Sequence, residues 1–285
     1  MQIDEISESG GTNPNEDLIF ICPLSDIITD VVVFDGATSV AEKNYIDEGR
    51  GDVAWFVTHF SEILATILRP ELSQAESVQR AIEMLRVQFQ TRFENKNIPP
   101  YAYPIAAMTW VRIIKQETIH INIYALGDCK VLLMNEVGCV KDLDQYHNPQ
   151  ENILKDAIAK LREEGITDVV AIWDKLLPTL RARREEQIFN RVPTVLCMNP
   201  QGSFSARESS WQVSKESRLM VMTDGFYRMV DVYQRFTMQE FMRRCVHLGV
   251  KEILRDIRQF EEDKLNSGTL SVKKADDASA VLCKF

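Results

Sequence analysis

Hydrophobic residues fall along this chain in two rhythms, and the points where one gives way to the other mark its elements. Residues 18–22 (LIFIC) and 31–34 (VVVF) are short unbroken apolar runs bounded by turn formers, which predicts buried strands. Residues 53–68 instead place Val53, Phe56, Val57, Phe60, Ile63, Leu64, Ile67 and Leu68 at three- and four-residue spacings, the period of an amphipathic helix that stops before Pro70. A second helix is predicted over 75–93, with Val78, Ile82, Leu85, Phe89 and Phe93 on one face and Pro99-Pro100 beyond its end. The strand rhythm returns at 105–114, 118–125 and 130–134, which reads most simply as an antiparallel meander.

From Asp142 to Pro200 the pattern turns helical, over about 150–164 and 168–186 with Gly165 between, and the second segment carries Arg181, Arg183 and Arg184. This stretch, about 145–200, is expected to be a helical insertion or flap on a single domain spanning 1–285. Strands are expected again at 209–214 and 218–222, helices at 237–247 and 250–265, and a last strand at 278–283. Like elements come in groups rather than in βαβ alternation, so the fold class is α+β with antiparallel sheets.

Composition narrows the function classes. The 285 residues are 45% hydrophobic and 26% charged, enough apolar material for a large core and too much for general disorder. A net charge of −9 disfavours nucleic acid as a partner and suits a protein that gathers carboxylates around hard cations. Cys22, Cys129, Cys139, Cys197, Cys245 and Cys283 form no CxxC pair, which points to reduced thiols. No signal-like N-terminus and no apolar run of membrane-spanning length is present, so a cytoplasmic location without a membrane partner is the expectation.

Acidic residues recur where apolar strands begin or end: Glu16-Asp17 before LIFIC, Asp35-Gly36 after VVVF, Gly127-Asp128 after INIYAL, Asp224-Gly225 after LMVMT, and Asp276-Asp277 before ASAVL. A carboxylate there has rigid backbone behind it, and an adjacent glycine lets a cation approach closely. Taken singly, each Asp-Gly also fits a hairpin turn; the ordered set carries the functional reading.

That ordered set (NED, VFDGAT, LGD, TDG and DDAS, spread over residues 15–279) resembles the metal-dependent protein phosphatase 2C family, in a divergent, bacterial-like form. The resemblance implies a four-layer αββα sandwich of two antiparallel sheets flanked by helix pairs. It implies a centre of two Mn²⁺ or Mg²⁺ ions in which Asp35 bridges, Gly36 offers its carbonyl, Asp224 and Asp276 complete the first metal's ligands, and Glu16 and Asp17 serve the second. Asp128 would approach a third, weaker site. It further implies hydrolysis of phosphoserine or phosphothreonine in proteins by metal-activated water, with a phosphorylated protein as substrate; pairing with a serine/threonine kinase is left open.

Three departures from the family pattern bear on activity. Thr12 stands where the family usually carries a phosphate-gripping Arg, Ala37-Thr38-Ser39 replaces His-Gly-Gly, and Arg228 replaces a frequent Asp. Arg181, Arg183, Arg184 or Arg191 are candidates to replace the missing guanidinium, although an exposed, charged helix face is the expected role of that cluster. His59, His120, His147 and His247 make no zinc motif, and no P-loop or dinucleotide fingerprint occurs. The alternative to an enzyme is a catalytically weak or inactive phosphatase-like binding module; hydrolysis of a small phosphorylated metabolite is a third reading.

Overall fold

The computed structural model describes residues 1–94, 96–266 and 275–285. The chain runs through β1 (Gln2–Glu8), β2 (Leu18–Pro23) and β3 (Ile28–Gly36), then α1 (Asp52–Ile67) and α2 (Gln74–Phe93). Four strands follow: β4 (Ile105–Lys115), β5 (Ile119–Leu126), β6 (Lys130–Met134) and β7 (Val140–Asp142). Next come α3 (Pro149–Glu163), α4 (Val169–Ile188), β8 (Leu196–Cys197), β9 (Arg207–Val213) and β10 (Arg218–Met222). The chain ends with α5 (Asp224–Asp231), α6 (Met238–Leu248), α7 (Val250–Asn266) and β11 (Ala278–Lys284).

The strands form two antiparallel sheets, one ordered β1-β11-β10-β6-β7 and the other β2-β3-β4-β5-β9, with β8 added beside the start of β4. Side-chain alternation sorts each central strand into two cores. Val31 and Val33 of β3 meet Leu219, Val221 and Val281 between the sheets. Val32 and Phe34 face the other way, into Phe56, Phe60 and Leu64 of α1 and Ile82 and Leu85 of α2. Met220 and Met222 of β10 and Leu282 of β11 likewise pack outward on Phe226, Phe241, Ile253 and Ile257 of α5–α7. The result is the expected helix–sheet–sheet–helix order. Reciprocal capping boxes, Ser73 with Glu76 and Thr237 with Glu240, start α2 and α6.

Three expectations need correction. The strands over 105–134 are not one meander: β4 and β5 pair in one sheet, whereas β6 pairs with β10 and β7 in the other. Gly127 makes the transfer, with φ of +79° and its N–H donated to the Thr194 carbonyl. Three helices, not two, follow β10, because Asp224-Gly225 opens α5 instead of a turn; eight residues are too few for a periodic signal. The third is an omission: β1 (QIDEISE), a polar edge strand held against β11, has no apolar run to announce it.

Candidate active site

The parity that fills the cores also builds the site. Asp35 shares the face of Val31 and Val33, so at the end of β3 its carboxylate faces the gap between the sheets. The sheet transfer at Gly127 delivers Asp128 to the same gap, the end of β10 delivers Asp224, and the approach to β11 delivers Asp276. These four residues line one cavity of about 400 Å³, together with Gly36, Thr38, Asn148, Arg183 and Arg184. The N–H of Asp224 donates to Asp35 Oδ2 at 3.4 Å. Desolvation, and then the charges of Asp224, Asp17, Asp128 and Asp276, hold the Asp35 carboxyl well above the usual carboxylate range.

Glu16 and Asp17 sit differently. Asp17 is buried behind the cavity, accepts from Thr223 Oγ1 at 2.9 Å, and is also pushed up, first by desolvation. Glu16 borders a second groove on the far side of Thr38 and Asp276, the groove that also contains Thr12. Neither side chain lies on the wall shared by Asp35, Asp128, Asp224 and Asp276.

Asp277 is a residue whose part sequence reasoning did not find. Its Oδ1 accepts from the Gly10 N–H at 2.8 Å and its Oδ2 from the Glu16 N–H at 2.6 Å, fastening the segment before β2 to the segment before β11. A Cβ on Gly36 would collide with the Glu16 carbonyl, and one on Gly225 with the Asp277 carbonyl, so both glycines permit close crossings of these segments. Arg207 braces the opposite rim: it pairs with Asp144 (Nε–Oδ1 2.8 Å) and donates to the Gly127 carbonyl at 2.6 Å, beside Asp128. No motif announced either residue; their partners lie far off in sequence.

The basic cluster of α4 also departs from expectation. Arg181 does reach outward, to Glu42 and the Val40 carbonyl. Arg184 is not part of an exposed face: it is 7% exposed, lines the acidic cavity, and donates from Nη2 to the Thr38 carbonyl at 3.1 Å. Behind the cavity, burial and then the Asp35 charge push the Cys129 thiol up, the reverse of what a nucleophilic cysteine requires.

No family model matches this sequence, and no curated protein does either. Solved structures do. The Mycobacterium tuberculosis serine/threonine phosphatase PstP aligns with a TM-score of 0.52 at 12% identity, over 99% of this chain and 97% of its own. Stp1 from Staphylococcus aureus, also a serine/threonine phosphatase, aligns with a TM-score of 0.54 at 13% identity, over 100% and 94%. RsbX, solved in complex with magnesium, gives 0.51 at 11% identity, over 99% and 93%. This chain has the phosphatase 2C fold.

A phosphatase 2C fold does not by itself supply a metal centre, so the donor set has to be suitable. The acids on the cavity wall offer hard oxygen donors with no His among them, the chemistry that suits Mg²⁺ or Mn²⁺. Their mutual repulsion, registered at Asp35, is what a divalent cation would relieve. Among the described residues, no three such side chains are drawn together tightly enough to grip an ion at once. Asp276 is turned toward Arg228 (Nη1–Oδ2 3.4 Å), and Asp128 accepts from Asn148 at 2.7 Å. No helix among the described residues is long and apolar enough to cross a membrane.

Proposed function

We propose that this protein is a metal-dependent phosphatase that hydrolyses phosphoserine or phosphothreonine in proteins. The observation that carries the proposal is the convergence of Asp35, Asp128, Asp224 and Asp276, from four separate segments, on one cavity at the rim of the sandwich. Asp35, Asp224 and Asp276, with the Gly36 carbonyl, would hold divalent ions; Asp128 would serve a further, weaker site, and Glu16 and Asp17 would act from behind or through water. Bound Mn²⁺ or Mg²⁺ would supply activation of water and neutralisation of phosphoryl charge. The protein's own groups orient and exclude: Asp277 and Arg207 fasten the converging segments, and α4 walls the cavity. The structure of PstP with two manganese ions and that of RsbX with magnesium agree with this choice of ion.

The test is phosphate release from p-nitrophenyl phosphate and from a phosphothreonine peptide. Turnover should require Mn²⁺ or Mg²⁺, stop on addition of EDTA, and be nearly abolished in Asp35→Asn. Metal-independent hydrolysis would overturn the assignment.

One observation favours a second reading, that of a phosphatase-like binding module. Arg228 is buried and already paired with Asp276, a cation standing beside a proposed ligand. Calorimetric titration with Mn²⁺ separates the readings: a folded protein that takes up no ion at millimolar concentration is the module.

A further inference from the structure

Arg183 and Arg184 are adjacent on α4, both line the cavity that holds the four acids, and neither forms a salt bridge to any carboxylate among the described residues. Arg184 is more than nine-tenths buried, and its one hydrogen bond among the described residues uses a single Nη2 donor on the Thr38 carbonyl. A guanidinium has five N–H donors. Thr38 takes one of them, and the side chain lines the cavity. Burial lowers its pKa to about 10 and the nearby charge of Glu16 opposes that, so it stays protonated at neutral pH. Burying an arginine is costly, and chain connectivity does not demand it: Arg181, one turn earlier, anchors the same helix from outside the cavity.

The Thr38 contact also fixes the direction of Arg184. Thr38 lies just beyond Asp35-Gly36 and borders both the acidic cavity and the groove that contains Thr12. Arg184 therefore lines the acids' cavity at Thr38, the residue that this cavity shares with the groove containing Thr12. A tetrahedral dianion in that cavity would be lined by both the acids and a planar donor fork, and arginine gives the bidentate geometry that such an oxyanion accepts.

We infer that Arg184, assisted by Arg183, is the phosphoryl-recognition element of this site, and that the helical segment between β7 and β8 thereby supplies a phosphate-monoester subsite that Thr12 cannot. The inference rests on the proposed phosphatase reading for the position of its ligand. It makes Arg184 a binding residue, with α4 as its carrier.

The experiment is titration of the full chain with inorganic phosphate, with and without saturating Mn²⁺, followed by ³¹P line broadening and calorimetry. The parent, Arg184→Ala, Arg184→Lys and Arg183→Ala are compared. Phosphate affinity should fall at least tenfold in Arg184→Ala, less in Arg184→Lys, and several-fold in Arg183→Ala, while Mn²⁺ affinity stays within twofold. In turnover assays KM should rise more than kcat falls. If Arg184→Ala does not fold, Arg184→Lys and Arg183→Ala decide by the same criterion. Phosphate affinity within twofold of the parent in the folded variants overturns the inference, as does a parent that binds no phosphate in either condition. Absence of turnover with Arg184-dependent phosphate binding intact removes the catalytic reading and leaves this one standing.

Discussion

Strand β3 carries an aspartate near each end, and the two are opposites. Asp30 is fully buried and faces the α1–α2 layer, where the cross-strand register places it opposite Arg112 of β4. Arg112 meets it with two bonds, Nε–Oδ1 at 2.8 Å and Nη2–Oδ2 at 2.9 Å, and donates a third to the Leu72 carbonyl at 2.7 Å. Asp35 lies five residues on, about 17 Å away at strand spacing, on the other face of the sheet. Its neighbours are Asp224, Asp17, Asp128 and Asp276. At one end the fold completes an ion pair; at the other it collects like charges around a cavity. Repulsion among carboxylates opposes folding, Arg228 answers it at Asp276, and a bound metal ion would relieve it at Asp35. The contrast marks this end of β3 as the candidate site without reference to any relative.

The largest effect that could break this comparison is catalytic. Asp35→Asn should reduce metal-dependent turnover of p-nitrophenyl phosphate by a factor on the order of 10³, as loss of a group that acts on the reacting centre does; Asp30→Asn, if folded, should retain far more activity. On stability the order reverses. Arg112→Ala leaves a buried carboxylate without its partner and should cost about 3–5 kcal/mol in urea unfolding, whereas Asp35→Asn should stabilise the metal-free protein by relieving repulsion. A parent and an Asp35→Asn variant equally stable without metal would undo the argument from uncompensated charge.

Ligand linkage gives the next prediction. Mn²⁺ at a hundred times its dissociation constant should stabilise the parent by about 2.7 kcal/mol, read as a rise in Tm that Asp35→Asn lacks. Its pH dependence follows from the raised carboxyls of Asp35 and Asp17. A group whose folded pKa lies above its unfolded value gives stability that is fully present below the unfolded value, about 3.9 for Asp, and is lost as pH rises through the folded one. Across that window the metal-free parent should lose stability relative to Asp35→Asn as pH rises, and Mn²⁺ affinity should strengthen, because the ion competes with the proton. The smallest effect belongs to Arg228. Arg228→Met removes the cation beside Asp276 and should tighten Mn²⁺ binding several-fold by calorimetry; weaker binding would show that Arg228 positions Asp276 and does not compete for it.

Much of this was legible in the chain. Helix patterning placed α1, α2, α6 and α7, and the Asp-Gly and Gly-Asp pairs flagged Asp35, Asp128 and Asp224 as acids at element ends. What escaped had no local signal. Asp277 and Arg207 act on backbone groups distant in sequence, the N–H of Glu16 and the carbonyl of Gly127. Arg184 has the same composition around it as Arg181, yet one turn of helix separates a buried cavity wall from an outward ion pair. The passage of β6 into the second sheet depends on the backbone at Gly127, and a strand pattern does not name its neighbour.

The sequence by itself determined most of the elements, the α+β class through its grouped patterns, and the identity of the acids, because periodicity and residue chemistry are properties of short stretches. Only the tertiary structure decided which acids share a cavity, that Glu16 and Asp17 stand off its wall, and that Arg184 turns inward. Those outcomes depend on the pairing of strands far apart in the chain, and on which face of a sheet or helix finds a partner there.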